Sequence, residues 1–120
     1  MAHILIVDDS PTEVHVLTTM LESTGHTVYS ASNGEAGIEM AKELKPTLIL
    51  MDVVMPGMNG FQATRQLTRD EDTANIPVII VTTKDQETDR VWGLRQGAKG
   101  YVTKPIDETL LMEKIAELVG

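Results

Sequence analysis

Short apolar runs, each cut off by polar residues, constrain this chain more than any other feature. Ile4-Leu5-Ile6-Val7 stops at Asp8-Asp9, and Leu48-Ile49-Leu50-Met51 stops at Asp52. Val78-Ile79-Ile80-Val81 stops at Thr82-Thr83, and Tyr101-Val102-Thr103 stops at Lys104-Pro105. Such runs, separated by helical stretches, read as strands of a parallel sheet covered on both faces. Strand and helix alternate five times, in steps of roughly twenty to twenty-five residues, the size of a βα unit. In an open parallel α/β sheet, chemistry gathers outside the carboxyl ends of the strands. Three carboxylates, a hydroxyl and an ammonium are therefore expected to share one crevice. That donor set suits one divalent cation and one phosphoryl group.

The helix signals agree with this reading. Ser10 can cap, Pro11 suits the first helical position, and Glu13 completes a capping box. Val14, Leu17 and Leu21 then form an inward stripe, and Gly25 supplies a left-handed stop. A second strand is expected at Thr27-Val28-Tyr29-Ser30. Asn33-Gly34 opens a helix with Ile38, Ala41 and Leu44 inward, ended by Pro46. Asn59 caps a helix holding Phe61, Thr64 and Leu67, and Arg69-Asp70-Glu71-Asp72 reads as a solvated helix end. The fourth strand is expected from Pro77. A helix through Val91 and Leu94 stops near Gly97. A last helix, from about Asp107, turns Leu111, Ile115 and Leu118 inward. The 120 residues are thus expected to form one βα-repeat domain, with nothing left over for an output module.

Composition excludes more than it identifies. A net charge of −8 argues against holding nucleic acid through phosphate contacts. Without cysteine there is neither a disulfide framework nor a thiolate metal site. No run approaches the length of a membrane span or of a signal peptide's apolar core, so a soluble cytoplasmic protein is expected. His3, His15 and His26 lack ligand spacing, and His15 is expected on an exposed helix face. The seven methionines read as gap-filling core. Trp92 is left open between core and an outward face.

Asp52 ends an otherwise apolar strand, where an ionised carboxylate is unfavourable unless compensated. Two unit charges about 4 Å apart interact by roughly 4 kcal/mol at an effective dielectric near 20. Clustered Asp8, Asp9 and Asp52 therefore repel unless a cation sits among them, and Mg²⁺ or Mn²⁺ is the expected partner. A carboxylate so placed can attack a phosphoryl donor and form an aspartyl phosphate. Thr82 would hydrogen-bond one phosphoryl oxygen, and Lys104 would neutralise another as a mobile point charge. Pro105 leaves the isomer of the Lys104–Pro105 bond open.

These residues, in this order, resemble the receiver domain of two-component response regulators over the full length of the chain. The resemblance is carried by Ile6-Val7-Asp8-Asp9, by Met51 through Gly60, by Thr82, and by Lys104-Pro105. The spacings agree too: 30 residues from Asp52 to Thr82 and 22 from Thr82 to Lys104. It implies a flavodoxin-like (βα)5 doubly wound sheet of strand order 2-1-3-4-5. By position it implies Asp52 as phosphoacceptor from a histidine kinase or its phosphotransfer domain. Asp8, Asp9, Asp52 and the Val54 carbonyl would be the metal ligands. Thr82 and Tyr101 would form the switch, with Thr82 moving toward the phosphate and Tyr101 turning inward. A finer likeness, in Ile4 through Glu13, Gly60 through Leu67 and Val81 through Asp89, is to stand-alone receivers of type IV pilus chemosensory systems. It implies a motility or pilus protein as downstream partner. A monomer is expected, with a phosphorylation-dependent dimer through the last-strand face as the alternative.

Two positions depart from the chemotaxis receiver. Val54 stands where that protein has a polar side chain, and Lys84 where it has an acid; Thr83 also fills a place usually held by a smaller residue. No side chain is then expected to align a hydrolytic water. A receiver can signal by binding a partner or by draining phosphate from a shared kinase, and the residues do not separate these. A phosphohydrolase with an aspartate nucleophile is a poor match, because the position two past Asp8 is Ser10 and no substrate-capping insertion is evident. A flavin carrier is equally poor, since only four aromatic residues occur and no phosphate loop follows the first strand. A self-phosphorylating receiver that loses its phosphoryl group slowly, not a turnover enzyme, is the expectation.

Overall fold

The computed structural model describes residues 2–119 and alternates strand and helix from end to end. In chain order the elements are β1 (His3–Val7), α1 (Pro11–Glu22), β2 (Thr27–Ala31), α2 (Gly34–Leu44), β3 (Leu48–Met51), α3 (Gly60–Arg69), β4 (Val78–Thr82), α4 (Glu87–Arg95), β5 (Gly100–Thr103) and α5 (Glu108–Val119). The strands pair in parallel in the order β2-β1-β3-β4-β5, as the family resemblance implies. Every residue of β3 and β4 is buried, because helices cover both faces of the sheet.

Alternation along the strands sorts the core into two layers. Ile4, Ile6, Leu48 and Leu50 pack with Leu17 and Leu21 of α1 and Leu111 and Ile115 of α5. Leu5, Val7, Ile49 and Met51 pack on the opposite face, with Ile38 and Ala41 of α2 and Ala63 and Leu67 of α3. A smaller group joins Val53, Phe61, Ile80, Ala98 and Tyr101. Burying a Leu or Ile side chain contributes roughly 1.5–3 kcal/mol, so the runs that mark the strands also drive the fold.

The caps are mostly where the sequence places them. Asn33 and Asn59 accept from the backbone N–H of Ala36 and Gln62, and Asn59 and Gln62 complete a reciprocal box. Ser10 accepts from the Glu13 N–H at 3.3 Å, but the expected reciprocal bond is replaced: the Ser10 N–H donates to Asp8 Oδ1 at 2.9 Å. Leu44, expected inward, is 40% exposed because α2 ends there and leaves the sheet. Gly25 (φ +92°) lies in the turn beyond the Ser23 cap, not at the cap itself. The ladder of β4 begins at Val78, one residue after Pro77, whose carbonyl still accepts from the Ile49 N–H at 3.0 Å.

One close approach ties α3 to the end of β3. The Gly60 N–H donates to the Val53 carbonyl at 2.9 Å, and a Cβ on Gly60 would lie 2.7 Å from the Asp52 carbonyl carbon and 2.8 Å from Val53 Cα. Backbone cannot yield as a flexible side chain can. Gly60→Ala is expected to destabilise the protein by about 3 kcal/mol, the upper end for overpacking, as read by urea unfolding. Unchanged stability would mean that the start of α3 is not packed this tightly.

Candidate functional site

Strand register builds the site. Val7 pairs with Met51, Met51 with Ile80, and Thr82 with Thr103, so the residues that follow these strands emerge at one level. The ladder continues into the polar residues: the Asp52 N–H donates to Val7 O at 2.9 Å and the Lys104 N–H to Thr82 O at 2.8 Å. Carboxylate oxygens of Asp8, Asp9 and Asp52 come within 4.8 Å of one another. Asp8 is 3% and Asp52 8% exposed, while Asp9 stands open to solvent.

Lys104 reaches into this trio. Its Nζ lies 2.9 Å from Asp8 Oδ2, 3.7 Å from Asp52 Oδ2 and 3.7 Å from Glu13 Oε2. The Lys104–Pro105 bond is cis. Glu13 is a contributor that sequence reasoning missed. The sequence marks it as a capping residue, yet its carboxylate faces the lysine from the first turn of α1. The Asp52 Oδ1 accepts from the Val53 N–H at 2.8 Å, which orients the carboxylate.

Burial, with the nearby Asp8 charge adding to it, pushes the Asp52 carboxyl above its ordinary value despite Lys104, the Val53 N–H and the Thr82 hydroxyl. For Lys104, burial works the other way, but its hydrogen bond to Asp8 and the charges of Asp52, Asp8 and Glu13 outweigh it and raise the ammonium's pKa. The site therefore holds excess negative charge that one lysine does not neutralise. Hard oxygen donors in that balance fit a divalent cation of the Mg²⁺ type, bound by a few carboxylates and otherwise by water.

Thr82 is fully buried at the end of β4, and its Oγ1 accepts from the Lys84 N–H at 3.3 Å. Tyr101 lies inward, 5% exposed, and its hydroxyl donates to Lys84 O at 2.7 Å. The Arg90 guanidinium sits 5.2 Å from the ring centroid and donates to Tyr101 O at 3.2 Å. Burial pushes the phenol up to about 12, with Asp89 adding to the shift. Gly93 leaves the space the ring fills, since a Cβ there would lie 3.1 Å from the ring and 2.8 Å from Ile80. Arg90 and Gly93 were missed in the sequence. The signal was present in a glycine inside a helix, facing the aromatic residue of the next strand.

Val54 and Lys84, thirty positions apart, line one cavity of about 440 Å³ with Phe61 and Trp92. Val54 is 59% exposed, and Lys84 pairs only distantly with Asp89 at 3.8 Å. Trp92, left open by the sequence, is 48% exposed on α4 beside exposed Val91 and Leu94. His15 is exposed, as expected. His26 instead accepts from the Ala2 N–H at 3.1 Å, and His3 stacks on Tyr29, so neither joins the site.

Comparison with known proteins matches this geometry. A family model described as the response regulator receiver domain matches residues 4–116. Protein PilH of Pseudomonas aeruginosa is 65% identical over 121 residues, covering 100% of both chains. The receiver domain of a signal transduction histidine kinase from Syntrophus aciditrophicus superposes with a TM-score of 0.91 at 35% identity, covering 99% of this chain and 90% of that one. The receiver domain of a sensor histidine kinase from Pseudomonas aeruginosa, with a magnesium ion coordinated in its active-site cleft, gives 0.91 at 29% identity over 99% and 98% of the two chains.

The raised Asp52 pKa has a consequence for stability. As pH rises past 3.8 the unfolded chain releases this proton first, so folding becomes less favourable up to the folded value and stays so above it. Asp52→Asn keeps an acceptor for the Val53 N–H and leaves Lys104 on Asp8. It is expected to raise the melting temperature at neutral pH, with the gap over wild type closing below pH 3.8. Thermal scans across pH test this, and a variant less stable than wild type at neutral pH would contradict it.

Proposed function

The chain belongs to the response regulator receiver domain family, and from that premise we propose that Asp52 is its phosphoacceptor. An Asp52 carboxylate oxygen attacks the phosphorus of a phosphohistidine on a sensor kinase or its phosphotransfer domain. The phosphorus–nitrogen bond breaks, and the imidazole leaves with the electron pair. Asp8, Asp9, Asp52 and the Val54 carbonyl would hold Mg²⁺, which supplies charge neutralisation at the phosphoryl oxygens. Lys104, freed from part of its pairing with Asp8, follows the new charge, and the Thr82 hydroxyl donates to a phosphoryl oxygen. The observation that carries this reading is the ammonium of Lys104 set 2.9 Å and 3.7 Å from two of three clustered aspartates.

The output is a change of surface, not a product. Thr82 and Lys84 connect the acidic site to Tyr101 through the Lys84–Thr82 and Tyr101–Lys84 hydrogen bonds. Phosphorylation would favour one setting of this chain of contacts and of α4 above it, where Val91, Trp92 and Leu94 are exposed. The inward Tyr101 is the setting we associate with the signalling form. Full-length identity of 65% with PilH supports a place in type IV pilus, or twitching-motility, signalling. The downstream partner would be a motility or pilus protein, and the working compartment the cytoplasm. A phosphate drain for a shared kinase is the second reading, favoured if the phosphoryl group turns over rapidly.

Incubation with Mg²⁺ and acetyl phosphate, followed by intact mass over time, tests the chemistry. A single phosphoryl adduct is expected on wild type, absent without Mg²⁺ and absent from Asp52→Ala. An adduct that persists on Asp52→Ala would reject the assignment. Val54→Asn with Lys84→Glu is expected to speed decay by about tenfold, equivalent to roughly 1.4 kcal/mol in the barrier, by giving a hydrolytic water polar partners. Unchanged decay would remove the role given to these two positions.

A further inference from the structure

Helices α2 and α3 lie side by side on one face of the sheet, and an acidic stripe on α2, which also exposes Lys42, lies beside a basic stripe on α3. Glu35, Glu39 and Glu43 recur every fourth residue along α2 and are all exposed. Arg65 and Arg69 recur at the same interval along α3, flanked by exposed Gln62 and Gln66. A four-residue interval gives both stripes the same rise, about 6 Å. The stripes do not neutralise each other within the chain. Among the described residues, Lys42 and Asp70 pair at 3.2 Å, while neither arginine and none of the three glutamates enters an ion pair. Between the helices runs a groove of about 740 Å³, with Ile38, Lys42 and Met58 along one side and Gln62, Arg65 and Arg69 along the other.

We propose that this face is an interface between two copies of the chain, related by a two-fold axis along the groove. That rotation sets α2 of each copy over α3 of the other, so the glutamate stripe of one meets the arginine stripe of its mate, twice. A two-fold axis across the helices would instead set like charge on like. The charge pattern thus selects one isologous arrangement, in which the same patch serves both partners. The face differs from the last-strand surface named above, and the proposal does not depend on the phosphoryl reading.

Strength is limited by size and charge. Helices of 11 and 10 residues span about 15 Å, so the contact falls in the small, transient class below about 1,200 Å². Each copy also carries a net charge of −8, which opposes approach everywhere except across these stripes. The dimer is therefore weak and salt-sensitive.

Sedimentation velocity on the full chain tests it, with two charge-reversed variants, Arg65→Glu with Arg69→Glu and Glu39→Lys with Glu43→Lys. All four positions are exposed, so both variants are expected to fold, as circular dichroism checks. Wild type should dimerise at low salt, with affinity about tenfold weaker near 0.5 M salt. Each variant alone should be monomeric, because both half-interfaces become like-charged. An equal mixture of the two should dimerise again, since reversal on both sides restores both attractions. A wild type still monomeric at about 1 mM, far above a weak-interface dissociation constant, would overturn the proposal. So would a wild-type dimer that both variants retain, or variants that stay monomeric when mixed. As the chain has no cysteine, Glu39→Cys mixed with Arg65→Cys gives a second readout: oxidative cross-links between the two species are expected, and their absence counts against this arrangement.

Discussion

The placement of the Asp52 carboxylate at the buried end of a parallel strand is the constraint on which the rest of the site depends. Charge there is unfavourable unless opposed, and two more aspartates stand beside it. Lys104 relieves part of the repulsion through Asp8, and the remaining negative charge suits a divalent cation. A structure built only for stability would have replaced this group with apolar side chains. Retaining it keeps a carboxylate in a place where any added charge is felt strongly by its neighbours.

That sensitivity needs a rigid frame around it and one adjustable edge. Gly60 packs α3 against the end of β3, so Asp52 sits on backbone with little room to move. Toward β5 the arrangement differs. Thr82, Lys84 and Tyr101 are joined by single hydrogen bonds, and α4 above them presents Val91, Trp92 and Leu94 to solvent. Single bonds worth about 1 kcal/mol net are easily outweighed by a change of charge at the site. Asp52 thus has a tightly packed side toward α3 and a loosely tied side toward α4 and β5.

Much of this was legible before the fold was known. A strand buried on both faces must be apolar, so polar residues that interrupt the runs at Asp8, Asp52, Thr82 and Lys104 mark its end. Periodicity also placed Leu17, Leu21, Leu111 and Ile115 inward, where they lie. It failed for Leu44, because periodicity names a helix face without saying where the sheet beneath it stops. Local sequence marks Glu13 as a cap because its nearest partner is Ser10, although a residue 91 positions later offers it stronger charge. Trp92 could not be assigned from its apolar neighbours, since α4 is short and only Gly93 turns a buried face to the sheet.

By itself the sequence determined which chemical groups stand at the ends of the strands, because burial and backbone geometry act over a few neighbouring residues. The tertiary structure decided how far apart those groups lie and which of them share a charge. Parallel strands are brought together by long helical crossovers, and register across them sets the distances from Lys104 to Asp8, Asp52 and Glu13. Tyr101 shows the same division: alternation puts it on a strand, while Gly93 on α4 leaves the space that lets its ring lie inward. Local periodicity cannot carry such information, because each of these contacts depends on segments that meet only when the whole sheet has closed.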